Sequence, residues 1–242
     1  MALDRVSGPL ASAINLHQSG HLDKAIKGYL EILEQDPAQA DANHLVGVAL
    51  LSRGVGDDRV QMFSYLSKAV ELRPEVAEFH NDLGNAYWVK RRFEQAESAF
   101  NQCVMLKPRF VRGYFNLGNA RLMQRKFVAA ADAYRQCIAQ DSNWAQAHYN
   151  LGNCLQQLGE LDAAMAAYNQ AISLKENYHD AYLARSTVLL KQGDYFQGWR
   201  DYEHRLSSEE YIILSKSGKS WWRGQAFPGQ TLLVYAELRA TV

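Results

Sequence analysis

The residues at 80–87, 114–121 and 148–155 read HNDLGNAY, YFNLGNAR and HYNLGNCL, one motif repeated at a period of 34 residues. The positions around it recur as well. An alanine follows (Ala96, Ala130, Ala164), then an aromatic four residues later (Phe100, Tyr134, Tyr168), then a small residue (Cys103, Cys137, Ala171). A period of this length constrains the architecture more than any other feature. One unit is too small to bury both of its faces, so units must stack into an array.

Within a unit, apolar residues fall three and four apart, at Leu83 and Tyr87 and then at Phe93, Ala96 and Phe100. That spacing predicts two amphipathic helices. The breaks between them fall near residues 90–92, near 125–126 and at Gly159. The glycine of LGN removes a side chain where one helix must approach another closely. The alanines of the second helix do the same from the other side, so large residues of one helix meet small residues of its neighbour.

These sized positions closely resemble the tetratricopeptide repeat family. The resemblance implies an all-α fold, a right-handed superhelical solenoid of antiparallel helix pairs, with the first helix of each pair lining a concave groove. The family's tryptophan position is held here by His80, Tyr114 and His148.

In this register residues 1–5 are a tail and 6–39 a first repeat, with Ala25 and Tyr29 on its second helix and Pro37 closing it. Residues 40–76 are a second repeat, three residues longer than the others. The surplus falls in the glycine-rich stretch 53–58, a tolerated loop insertion in which Asp57 can cap the following helix. Repeats three to five occupy 77–110, 111–144 and 145–178, and a degenerate sixth occupies 179–212. A terminal repeat lacks a sibling on one face. Here that face is aromatic rather than polar, which points to something else covering it.

After Ser207 the periodicity stops. Residues 231–236, TLLVYA, form a short apolar and β-branched run that predicts one strand. The stretches 193–206 and 221–237 resemble the junction of bacterial proteins that join tetratricopeptide repeats to a glycosyltransferase-like domain. The resemblance makes 213–242 a linker and the truncated start of such a domain, without its sugar-nucleotide site.

Composition narrows the function. The chain carries 26 basic and 26 acidic residues, so it is not expected to bind nucleic acid or anionic membranes nonspecifically. The N-terminus has an early acid and no long apolar core, so no secretory signal is expected, and no run is long enough to span a bilayer. The three cysteines have no metal or disulfide spacing, and Cys103 and Cys137 share one buried-type repeat position. A reduced, cytoplasmic setting fits. The seven histidines are scattered, and no nucleophile–base order, carboxylate pair or phosphate-cradling loop occurs. No catalytic residue, metal or cofactor is expected.

Three constellations are candidates for binding. Asn85, Asn119 and Asn153 share one repeat position, and Asp82, Asn116 and Asn150 lie three residues earlier on the same helix face. An asparagine amide offers an acceptor and donors that match a peptide bond. Such a ladder can hold an extended peptide by its backbone, as the similar ladder of O-linked N-acetylglucosamine transferases implies, or it can bond helix to helix. Lys107, Arg109, Arg112, Arg121, Arg125 and Lys126 form a basic stretch, with Arg112 expected beside Asn116 and Asn119. It favours an acidic or carboxylate-ended ligand, or is simply solvated. Phe115, Tyr149 and Trp88 lie near the groove, where they stack on a ligand or, with Trp144, pack between repeats.

The sequence therefore reads as a protein- or peptide-binding scaffold. Two alternatives stay open at this level: the substrate-recruiting arm of a glycosyltransferase, and a scaffold that self-associates through its aromatic C-terminal end.

Overall fold

A computed structural model describes residues 8–54 and 58–207. The N-terminal tail, the Asp57 cap and the strand expected at 231–236 lie outside those residues. In chain order the helices are α1 (Gly8–Gln18), α2 (Leu22–Gln35), α3 (Ala40–Arg53), α4 (Asp58–Leu72), α5 (Ala77–Val89), α6 (Phe93–Leu106), α7 (Val111–Met123), α8 (Phe127–Gln140), α9 (Ala145–Gln157), α10 (Leu161–Leu174), α11 (His179–Lys191) and α12 (Tyr195–Tyr202). A 3-10 turn, Glu203–Ser207, closes the described residues against α11 and α12. No strand occurs among them.

The helices pack as consecutive pairs, α1 with α2 through α11 with α12, and each pair stacks on the next. Links as short as residues 90–92 leave two partners no choice but to run antiparallel. The pairing contact is the one the motif predicts. A Cβ built on Gly84 would lie 2.6 Å from Phe100 Cε1, on Gly118 2.6 Å from Tyr134 Cε1, and on Gly152 2.5 Å from Tyr168 Cε1. Each ring is essentially sealed from solvent, and the alanine positions Ala96, Ala130 and Ala164 are fully buried. In the second pair Gly47 meets Leu66 instead. In the first pair, which lacks the LG dipeptide, the small residues are Ala13 and Gly28, 3.1 Å apart by the same construction.

The tight turn inside each pair places one residue in left-handed backbone. Gly20, Gly54, Gly159 and Gly193 take it with φ of 67–85°, but Arg91 and Arg125 take it with φ of 58°. A side chain there costs about 1–2 kcal/mol, partly offset by the greater freedom a glycine has when unfolded, about 0.5–1 kcal/mol. Replacing Arg91, which is exposed, by glycine is therefore expected to stabilise the array by about 0.5–1 kcal/mol. Urea denaturation checks it, and a lowered midpoint would refute this account of the turn.

Polar side chains tie one pair to the next. His80 Nε2 donates to Pro74 O at 2.8 Å and His148 Nε2 to Ser142 O at 3.0 Å, so the histidines in the family's tryptophan position fasten the preceding loop. Asn43 does the same for Pro37 at 3.1 Å. Glu97 on α6 is the hub of a larger knot: it accepts from Arg121 Nε at 2.9 Å, Gln124 Nε2 at 2.9 Å and Lys126 Nζ at 2.7 Å. Burial alone would raise its carboxyl pKa, but those three donors outweigh burial and hold it below the ordinary carboxylate range. Cys103, Cys137 and Cys154 are buried free thiols, and burial pushes each up to about 12. No helix among the described residues is long and apolar enough to cross a membrane.

Candidate functional site

The first helices of successive pairs, α5, α7, α9 and α11, contribute side chains to two adjoining clefts. Leu122 and Met123 at the end of α7 belong to both, so the clefts lie side by side. The smaller, of about 360 Å³, is lined by Trp88, Phe115, Asn119, Gln146, Tyr149, Asn150 and Tyr178. The larger, of about 580 Å³, takes Asn153, Gln156, Gln157, Ala184 and Thr187 together with Arg125 and Phe127. The clefts thus gather most of the expected aromatics and asparagines. Arg112 is exposed on α7 but lines neither cleft.

The asparagines do not all play one part. Asn116 donates to Asn81 Oδ1 at 3.0 Å and to Asn85 Oδ1 at 3.2 Å, joining α7 to α5. Asn150 donates to Asn119 Oδ1 at 3.0 Å and joins α9 to α7. Asp82 accepts from Asn85 Nδ2 at 3.2 Å and pairs with His44 of α3 at 2.8 Å. Asn85 thus has both ends of its amide occupied inside the array. Asn119 and Asn153 differ. Their Oδ1 atoms accept from the hydroxyls of Tyr134 (2.7 Å) and Tyr168 (2.8 Å), their Nδ2 groups donate to no described residue, and both residues line the clefts.

The tyrosines act as positioning posts. The Tyr168 hydroxyl also lies 2.7 Å from Gln156 Oε1, so two amides of the larger cleft share the single proton of one buried phenol. Burial pushes the Tyr134 and Tyr168 hydroxyls well above their ordinary range, so both stay protonated donors at any physiological pH. The cleft aromatics are held equally firmly. Phe115 stacks on Trp144 with centroids 5.1 Å apart, and Tyr149 sits 5.1 Å from Tyr178 and 6.2 Å from Tyr168. They pack between pairs and line the groove at once.

Half of the basic stretch is paired within the array. Lys107 pairs with Glu78, and Arg121 and Lys126 pair with Glu97, each partner lying on an earlier helix. Arg125 is the one charged side chain among the residues lining the two clefts. Sequence reasoning missed Met123, Gln146 and Gln156. The signal for Gln156 was present, since it follows Asn153 by three residues and shares its helix face. No group of acidic, histidine or cysteine side chains suited to a metal occurs among the described residues.

Comparison with known proteins bears on this geometry. A tetratricopeptide repeat family model matches residues 145–178, and a second model of the same repeat matches 64–108 and 81–143. No curated protein matches the chain. Among solved structures, the chain is similar to MamA at 25% identity, with a TM-score of 0.64 over 70% of this chain and 97% of that one. It is similar to YrrB, described as a tetratricopeptide protein with an unusual peptide-binding site, at 16% identity and a TM-score of 0.66 over 78% and 97% of the two chains. It is similar to PilF of Pseudomonas aeruginosa at 18% identity and a TM-score of 0.70 over 86% and 96%. Residues 64–143 and 145–178 are thus built of tetratricopeptide repeats within an all-helical array.

Proposed function

We propose that this chain is a non-catalytic scaffold that holds a segment of a partner protein in the groove formed by α5, α7, α9 and α11. The observation that carries the reading is the pair of unspent amide donors on Asn119 and Asn153, each held in place by a buried tyrosine hydroxyl beside the cleft. Two such donors, one pair apart, suit two carbonyls several residues apart on a chain laid along the groove. The peptide-binding site named for YrrB supports the same use of the fold. Most ligand side chains facing the clefts are uncharged, because the lining is amide, hydroxyl, aromatic and aliphatic with Arg125 as its one charge. Binding of that kind depends only weakly on salt.

Aspartate at both positions tests this. Asn119→Asp with Asn153→Asp keeps the Oδ acceptors that Asn150, Tyr134 and Tyr168 need. It replaces both donors with acceptors that face the peptide carbonyls. Losing two hydrogen bonds at about 1 kcal/mol each weakens partner binding about 30-fold, while the thermal midpoint stays where it was. Unchanged affinity, or a midpoint that falls with it, would show that these amides serve the fold alone.

A further inference from the structure

The second helix of the last described pair presents its aromatics outward. Tyr195, Phe196 and Trp199 are 64%, 82% and 57% exposed. The 34-residue register aligns them with Leu161, Asp162 and Met165 of α10. Those three residues meet the next helix of the array. Leu161 and Met165 pack in one cluster with Ala184 and Val188 of α11, and Asp162 accepts from Gln192 at the end of α11 at 3.0 Å. One layer earlier, Ala131, in the register of Trp199, packs with Leu151 and Cys154 of α9. Tyr195, Phe196 and Trp199 therefore occupy the surface on which a following helix seats in each of these preceding layers. The last face of a repeat array is ordinarily polar, since nothing covers it. This one is not.

The C-terminal segment has matching chemistry. Residues 208–242 carry Trp221, Trp222, Phe227 and the apolar run Leu232, Leu233, Val234 and Tyr235. Reach is no obstacle. The helix α12 is about 12 Å long, and the thirteen residues 208–220 span up to about 43 Å when extended. A tethered segment also acts at millimolar effective concentration, well ahead of a second molecule.

We propose that the face of α12 bearing Tyr195, Phe196 and Trp199 is the docking surface for the chain's own segment 208–242, through its aromatic and aliphatic residues, which caps the array in place of another repeat. The competing occupant is the same face of a second copy. The full 242-residue chain carrying the photo-crosslinker benzoylphenylalanine at Phe196 separates them. The position is so exposed that the substitution disturbs no packing. Crosslinks within one chain, mapped by mass spectrometry to peptides of 208–242, are expected. Crosslinks between two chains, or none to that segment, overturn the proposal. A second readout uses trypsin. Cleavage after Arg223, between Trp222 and Phe227, is expected to run about tenfold faster in the Phe196→Ser, Trp199→Ser double variant than in the parent chain. Equal rates overturn it as well.

Discussion

Leucine in place of Gly118 is expected to cost the array about 3 kcal/mol, at the top of the usual range for overpacking. The reason is local and geometric. A Cβ alone at Gly118 would lie 2.6 Å from Tyr134 Cε1 and 2.8 Å from Cδ1, and a leucine adds three more carbons behind it. The ring cannot retreat. Tyr134 is fully buried, and its hydroxyl is fastened to Asn119 at 2.7 Å. Relief must come from prising α8 away from α7, which also disturbs the seat of α9. In a stacked array each layer is stabilised only by its neighbours, so one opened pair uncouples the layers on either side. Urea denaturation followed by circular dichroism should show a lower midpoint and a broader transition. An unchanged midpoint would mean the slot is open and the pairing register assigned to α7 and α8 is wrong.

Asp201→Ala is expected to cost about 3–5 kcal/mol of the stability of the last pair, the range for breaking a buried ion pair. Asp201 is 2% exposed and accepts from Arg185 at 2.6 and 3.0 Å and from Gln197 at 3.2 Å. Removing the carboxylate leaves the guanidinium without its charge partner in a largely buried site, with Asn169 and the Tyr182 ring beside it. The register adds a sharper expectation. One layer earlier the equivalent residues are Leu151 and Ala167, which share a single apolar cluster. The double variant Arg185→Leu, Asp201→Ala therefore restores a pair the fold already uses and recovers most of the loss. Hydrogen exchange of the amides of α12 reads both effects directly. A double variant no more stable than Asp201→Ala would show that the ion pair does more than fill its site.

Features locked to the 34-residue period were legible in the sequence because each is a contact within one unit. The meeting of Gly84 with Phe100 and of Gly118 with Tyr134 follows from residue size alone. What the period could not show is how identical residues diverge in different layers. Asn85 and Asn119 share a position, yet one is saturated and the other keeps a free donor. The cause lies elsewhere in each unit. The aromatic behind Asn119 is Tyr134, whose hydroxyl occupies Oδ1, whereas behind Asn85 stands Phe100, which has no hydroxyl, and Asn85 turns to Asp82 and Asn116 instead. The ion pairs of the basic stretch were hidden for a related reason. Its partners Glu78 and Glu97 sit on earlier helices, 29 and 24 positions from Lys107 and Arg121, beyond the reach of any local charge count.

In the proposed function the partner sits on the first-helix side of the array, where the clefts lie, rather than on the second-helix side. Met123 belongs to both clefts and is 46% exposed, while Gln136 is exposed on the second-helix side, on α8, and lines neither. Benzoylphenylalanine placed at each position in turn, with photolysis in lysate of the source cell, compares the two surfaces in otherwise identical chains. Groove binding predicts a discrete partner crosslinked from position 123, lost when Asn119 and Asn153 are aspartate, and no such product from position 136. Equal capture at both positions, or capture at 123 that survives the aspartates unchanged, would contradict it.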